Sequence, residues 1–160
     1  MKLSLTSVKY AAFASQETSC FEAIVLIDGK KAIHVSNDGH GGCDMHRDII
    51  PGSAEKVEAY AKTLPKQAYD SDPFINYQPT LDTLVGDLLD EHLSLKDMRR
   101  ALKKCVHFKA GEKILKFQSV KFTSANSDII NQNILKKFQD AVILNSIPEG
   151  EALKIWMKGN

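Results

Sequence analysis

The feature that most constrains this 160-residue chain is the pair Asp28-Gly29 set between two apolar runs. Asp-Gly tolerates positive φ at both central positions of a two-residue turn, and the twist of such a turn matches that of paired strands. Before it stands Cys20-Phe21-Glu22-Ala23-Ile24-Val25-Leu26-Ile27, rich in β-branched residues and of strand length. After it Ala32-Ile33-His34-Val35-Ser36 returns. The sequence therefore predicts an antiparallel hairpin. His34 falls out of phase with Ile33 and Val35, which makes it a partly solvated surface histidine if those two face a core.

The other elements follow from spacing and punctuation. Residues 3–10 read as a first strand with imperfect alternation, and 11–19 as a connection. Ser53 is placed to cap a helix running to Leu64, with Val57, Tyr60, Ala61 and Leu64 on its buried face, and Pro65 ends it. Residues 65–79 hold three of the five prolines together with Tyr69, Phe74 and Tyr77. They read as an irregular connection whose aromatics pin it to the core. Thr80 caps a helix carrying Leu81, Leu84, Val85, Leu88 and Leu89 at amphipathic spacing. Ser94 with Asp97 resembles a capping box and opens a separate short basic helix to about Lys103. Strands are predicted over 105–108 and 114–122, joined at Ala110-Gly111. A helix from Ser127 carries Ile130, Ile134 and Phe138, and 141–144 is a short strand. Ser146, Pro148 and Glu149 open a last helix with Leu153, Trp156 and Met157 inward. This order predicts a single α+β domain over 1–160, a mixed, mainly antiparallel sheet with helices packed on one face. The one weak seam is at 65–79.

Composition bounds the function. A hydrophobic content of 43% with 26% charged residues is that of a globular protein large enough to bury a continuous core. With 21 basic and 20 acidic residues the net charge is +1. That excludes an acidic mimic of DNA and supplies no strong drive toward phosphate backbones, so nucleic acid is not favoured as a partner. Arg99-Arg100 with Lys103-Lys104, and Lys136-Lys137, read as solvated helix faces. Cys20, Cys43 and Cys105 are an odd set and read as reduced thiols of a cytoplasmic protein. No run is apolar enough for a signal peptide or a membrane span. Homo-oligomerisation is left open.

Chemistry concentrates in Asn37-Asp38-Gly39-His40-Gly41-Gly42-Cys43-Asp44-Met45-His46-Arg47. Four readings fit it. The glycines can serve only a sharp turn on leaving a strand. Their successive amides can form a nest for an anion, helped by His40, His46 and Arg47 and by the nearby helix start at Ser53. No GxGxxG or GxxxxGK[ST] pattern accompanies them. His40, Cys43 and His46 offer zinc ligands, with Asp38 and Asp44 as oxygen donors and Cys105 and His107 as the candidate second pair. Cys43 beside His40 or His46, oriented by Asp38 or Asp44, has the residue types of a thiol hydrolase, although catalytic partners normally come from distant segments.

The run Phe21-Glu22-Ala23 through Asp28-Gly29-Lys30, then Asn37-Asp38-Gly39-His40-Gly41-Gly42, and later Asp140-Ala141-Val142-Ile143-Leu144-Asn145, resembles small accessory proteins carried by bacteriophages and prophages. The resemblance implies no catalytic residue. It implies a setting, the host cytoplasm, in which such proteins bind and inhibit a host factor, as inhibitors of host defence do, or sequester a small nucleotide-like anion. The reading adopted from the sequence is therefore a non-enzymatic binding protein without a cofactor. Its binding surface is the glycine-rich loop, through Asn37, Asp38, Gly39, His40, Gly41, Gly42 and Arg47, with the 69–77 aromatics beside it. The alternative is a small zinc- or thiol-dependent hydrolase centred on His40, Cys43 and His46.

Overall fold

A computed structural model of the chain describes residues 1–69, 72–117 and 120–159. The predicted hairpin is present as β2 (Phe21–Ile27) and β3 (Lys30–Asn37). Asp28 and Gly29 take φ of 50° and 84° in the turn, the two positive values that Asp-Gly was read to supply. Phe21, Ala23, Val25 and Ile27 alternate into the core from β2. In β3 the buried set is Ala32, Ile33, Val35 and Asn37. Ala32 and Ile33 are buried in succession because the register shifts there: Val25 pairs with Ile33 but Leu26 with Lys31, leaving Ala32 as a bulge. The Ala32 carbonyl is thereby free to accept the amides of Ile49 and Ile50.

Two more strands complete this antiparallel sheet, in the order β1-β2-β3-β4. β1 (Leu3–Tyr10) carries a register shift between Thr6 and Lys9 with Ser7 at φ 55°, which accounts for its imperfect alternation. β4 (Met45–Asp48) was not predicted. It pairs with β3 from Ile33↔Asp48 to Ser36↔Met45, so the glycine-rich stretch is the loop of a second hairpin. On the exposed face Glu22 accepts from His34 Nε2 (2.8 Å) and Lys9 Nζ (3.0 Å), and those two partners hold its carboxyl below the usual range. His34 is thus a surface residue, as expected.

α1 (Ser53–Ala61) lies against β3 and β4 and buries Val57 and Ala61. Its cap differs from the prediction. Ser53 is the first helical residue, Gly52 precedes it at φ 76°, and the Asp48 carboxylate accepts the amides of Ser53 (3.1 Å) and Ala54 (2.9 Å). Residues 65–79 are more regular than expected: β5 (Gln67–Tyr69) and β6 (Asp72–Tyr77) pair as a two-stranded ribbon. Phe74 is 92% exposed, so it does not pin the segment to the core. Gln78 fastens the end of the ribbon by donating to the Ala61 and Leu64 carbonyls at the end of α1.

α2 (Leu81–Lys104) opens on the expected Thr80 cap, with Thr80 and Thr83 exchanging backbone and side-chain hydrogen bonds and the Glu58 carboxylate accepting from Leu81 N. It does not stop before Ser94. No glycine or proline lies between Asp87 and Lys104, and a serine inside a helix costs only about 0.5 kcal/mol, too little to break it. The contacts divide the chain into two compact units, Met1–Asp90 and Glu91–Asn160, with the division inside α2.

In the second unit β7 (Val106–Ala110) is flanked by β8 (Lys113–Phe117) and β9 (Val142–Ile143), again antiparallel. β8 ends at Phe117, so Val120–Phe122 are not strand, and residues 118 and 119 lie outside the described residues. α3 (Ser127–Lys137) sends Ile130 and Ile134 against Val106, Phe108 and Ile143. α4 (Glu149–Gly159) sends Ala152 and Leu153 against Met98 and Leu144. Met157 is 43% exposed rather than inward. The predicted Ser146–Glu149 capping box does not form: Glu149 gives both carboxylate oxygens to Arg99, and Ser146 donates to Asn131. Asn145 ties the second unit together, donating to the Leu102 carbonyl at the end of α2 and accepting from His107 N. The α+β class stands, built on antiparallel sheets, though the strands are divided among three sheets rather than gathered in one.

Candidate functional site

The glycine-rich loop is held from within by Asn37, the last residue of β3 and almost fully buried. Its Oδ1 accepts from the Thr18 hydroxyl (2.6 Å) and from Gly39 N (2.9 Å), and its Nδ2 donates to Asp44 Oδ1 (3.0 Å). One side chain thus closes both ends of the loop. A buried amide used at both its donor and acceptor ends costs little, where an unsatisfied one would cost about 1–3 kcal/mol.

The loop is also locked to the connection at 11–20. The Gly39 carbonyl accepts the amides of Gln16 (3.0 Å), Glu17 (3.0 Å) and Thr18 (3.4 Å). Gly41 N donates to Thr18 Oγ1, His40 N to Asp38 Oδ1, and His40 Nδ1 lies 3.3 Å from Gln16 Oε1. The concave array of amides is therefore in residues 16–18, and a protein carbonyl already fills it. Of the loop amides expected to cradle an anion, those of Gly39, His40 and Gly41 are committed to acceptors of this chain. The helix start at Ser53 is taken as well, by Asp48.

Glycine is required here for two separate reasons. Gly39, Gly41 and Gly42 have φ of 88°, 95° and 89°. At Gly39 a Cβ would also lie 2.1 Å from the Ala14 carbonyl oxygen, and at Gly41 2.6 Å from the Glu17 carboxylate. Gly42 has open space around it. Gly39, facing backbone, permits close approach of the two loops; the Glu17 side chain beside Gly41 can swing away, and Gly42 serves the turn alone.

Of the proposed ligands, only part comes together. Asp44, just before β4, and His46 within it stand two residues apart and point with Asp82, from the first turn of α2, toward one place. Asp44 N donates to Asp82 Oδ2, His46 Nε2 lies 2.9 Å from Asp82 Oδ1, and one donor atom from each of the three falls within 4.8 Å of the others. Burial raises the Asp44 carboxyl above the usual range; Asn37 opposes the rise, Asp82 adds to it and His46 opposes it. Two carboxylates and an imidazole are a donor set that suits a divalent cation.

The predicted zinc set is not assembled. His40 faces Gln16, and Cys43 is exposed, with no hydrogen bond to His40 or His46 among the described residues. Arg47 stands exposed on β4 opposite His34, outside the loop. Cys105 and His107 belong to the second unit. There the sulfur is 3.9 and 4.0 Å from the two ring nitrogens, and His107 Nδ1 lies closer, at 3.3 Å, to the Cys105 carbonyl. His107 instead sets its ring edge-on to Trp156, and burial holds it below its ordinary pKa. The aromatic segment fares likewise. Tyr77 donates to Gln67 within its own ribbon, and the Tyr69 side chain lies outside the described residues.

Reading the sequence missed Asp82, Thr18 and Gln16. Asp82 looked like an ordinary acidic residue of a helix first turn, favoured there by the helix dipole. The available signal was Asp44-x-His46, two residues that share a face once β4 is a strand. Comparison with known protein families, with curated proteins and with solved structures finds no match to this chain.

Proposed function

We propose that this chain is a non-enzymatic binding protein of the phage accessory kind, acting in a host cytoplasm on a host protein through the paired loops 11–20 and 38–44. The observation that supports this most is the use of the glycine-rich loop's own amides. Gly39, His40 and Gly41 are bonded to Asn37, Asp38 and Thr18, and the Gly39 carbonyl is seated on residues 16–18. Loops tied in this way keep one shape in the free protein, and an ordered surface loses less conformational entropy when a partner docks. They hold out large apolar side chains: Phe13 is 93% exposed on the first loop, and Met45, at the base of the second, is 74% exposed. Exposed aromatic anchors on a rigid frame are what protein recognition uses.

Sequestration of a nucleotide-like anion has less support, because the Gly39, His40 and Gly41 amides are already committed. A zinc- or thiol-dependent hydrolase has less again, since Cys43 lacks a histidine partner among the described residues. The test is affinity capture from a bacterial host by the tagged full chain, beside Phe13→Asp and Met45→Asp, both exposed and so expected to fold. A bacterial protein held by the native chain and lost from both variants is the expected result. The same captured set from all three chains would contradict the proposal, as would a nucleotide carried through purification and seen in native mass.

A further inference from the structure

The near-neutral charge of the whole chain conceals a division. The first unit carries 8 Lys and Arg against 13 Asp and Glu, a net of −5; the second carries 13 against 7, a net of +6. Part of the basic excess of the second unit lies beside apolar surface along α2. A groove of about 470 Å³ runs between the C-terminal part of α2, residues 121–123 and the segment entering α4. Its floor is Met98, Leu102, Leu144 and Ile147, with Phe122 on one wall. Met98 and Leu144 are fully buried, so the apolar surface that the groove offers comes from the half-buried Leu102, Phe122 and Ile147 above them.

The rim is cationic. Arg99 is engaged by Glu149 through two short hydrogen bonds, 2.6 and 2.7 Å, and that carboxylate holds the guanidinium in place at the groove edge. Lys103 and Lys121 also line the groove, and among the described residues neither has a carboxylate partner. A second hollow on α2, lined by Leu95, Lys96 and Arg100, shares Arg99 and Lys103 with the first. The recognition surface therefore combines an aliphatic floor with cations on both sides of α2.

We infer that this groove is a docking site for an acidic segment of a partner protein, one that places apolar side chains on the floor and carboxylates against Lys103 and Lys121. Charge and apolar surface select the occupant together. A nucleic acid strand would match the cations, but its bases stack on aromatic faces, and Phe122 is the single aromatic residue lining the groove. An apolar peptide without acids would leave the two lysine ammonium groups facing it without a counter-charge. This inference is independent of the loops of the first unit, and the variants that test it lie elsewhere in the chain.

The experiment is a selection of random 15-residue peptides on the full chain, followed by anisotropy titration of the enriched sequences. Enriched peptides should combine two or more Asp or Glu with apolar residues. They should bind about tenfold more weakly to Lys103→Glu/Lys121→Glu, as expected where close charge pairs are reversed. Lys136→Glu/Lys137→Glu, which makes the same change of charge on α3, should leave affinity unchanged. Failure to enrich acidic sequences, or equal loss in both double variants, would overturn the site. Tighter binding of a single-stranded oligonucleotide, abolished by the groove variant, would assign the groove to nucleic acid instead. Self-association by light scattering that the groove variant breaks would assign it to a second copy of the chain.

Discussion

At the scale of single residues, the glycine-rich loop separates positions that look alike in the sequence. Gly39 and Gly42 share φ near +90°, yet a Cβ on Gly39 would meet the Ala14 carbonyl while one on Gly42 would meet nothing. Gly42→Ala should therefore lower stability by about 1 kcal/mol, the backbone cost alone. Gly39→Ala should cost upward of about 3 kcal/mol, because the loops must also part. Thermal unfolding of the two variants checks the contrast. Asp44 gives a prediction with a definite sign. Its folded pKa is raised by burial, so the ionised carboxyl is a burden on the fold. Its contribution is favourable below the ordinary aspartate value and is lost as pH rises through the folded one. Asp44→Asn keeps an acceptor for Asn37 and removes the charge. It should raise stability at pH 7, by less than about 1 kcal/mol for a half-buried group, with the gain vanishing below about pH 4. Melting curves at the two pH values decide it. That Asn37-Asp38-Gly39-His40-Gly41-Gly42 turns sharply was legible, since glycine alone enters that conformation freely. That Thr18, Gln16 and Asp82 complete the site was not, because the contacts join residues 19 to 38 positions apart and leave no local pattern.

At the scale of elements, legibility followed burial. The β2–β3 hairpin and the apolar faces of α1 and α3 were readable because alternate or helically spaced side chains enter a core. β4 was not, because Met45, His46, Arg47 and Asp48 are all exposed and an edge strand with no buried face shows no alternation. Ser94 misled for the converse reason: a cap-like pattern lay within a helix that tertiary packing continues through it. The same strand supplies the α1 cap. Asp48→Ala should cost about 1 kcal/mol and loosen the first turn of α1, measured by equilibrium unfolding and by amide exchange at Ser53 and Ala54. On β7, His107 folds as the neutral ring because burial lowers its pKa. Its contribution is full above the ordinary histidine value and is lost as pH falls through the depressed one. The second unit should therefore weaken from about pH 6.5 downward, and His107→Phe should flatten that part of the stability profile.

At the scale of the whole molecule, the chain pairs an acidic unit built on a four-stranded sheet with a basic unit built on a three-stranded one. A net charge summed over all 160 residues erased that division, and the clusters on α2 accordingly read as ordinary solvated faces. Among the described residues no helix is long and apolar enough to cross a membrane. The proposed recognition surfaces are the locked loops of the first unit and the cation-rimmed groove of the second. The glycine-rich loop is closed by its own hydrogen bonds at Gly39, His40 and Gly41. Amide exchange at these three residues, followed by NMR with and without added phosphate and ADP, is the decisive measurement. Slow exchange in the free protein, unchanged by either anion, is expected. Fast exchange that phosphate or ADP slows would contradict it, and would return the loop to the role of an anion nest.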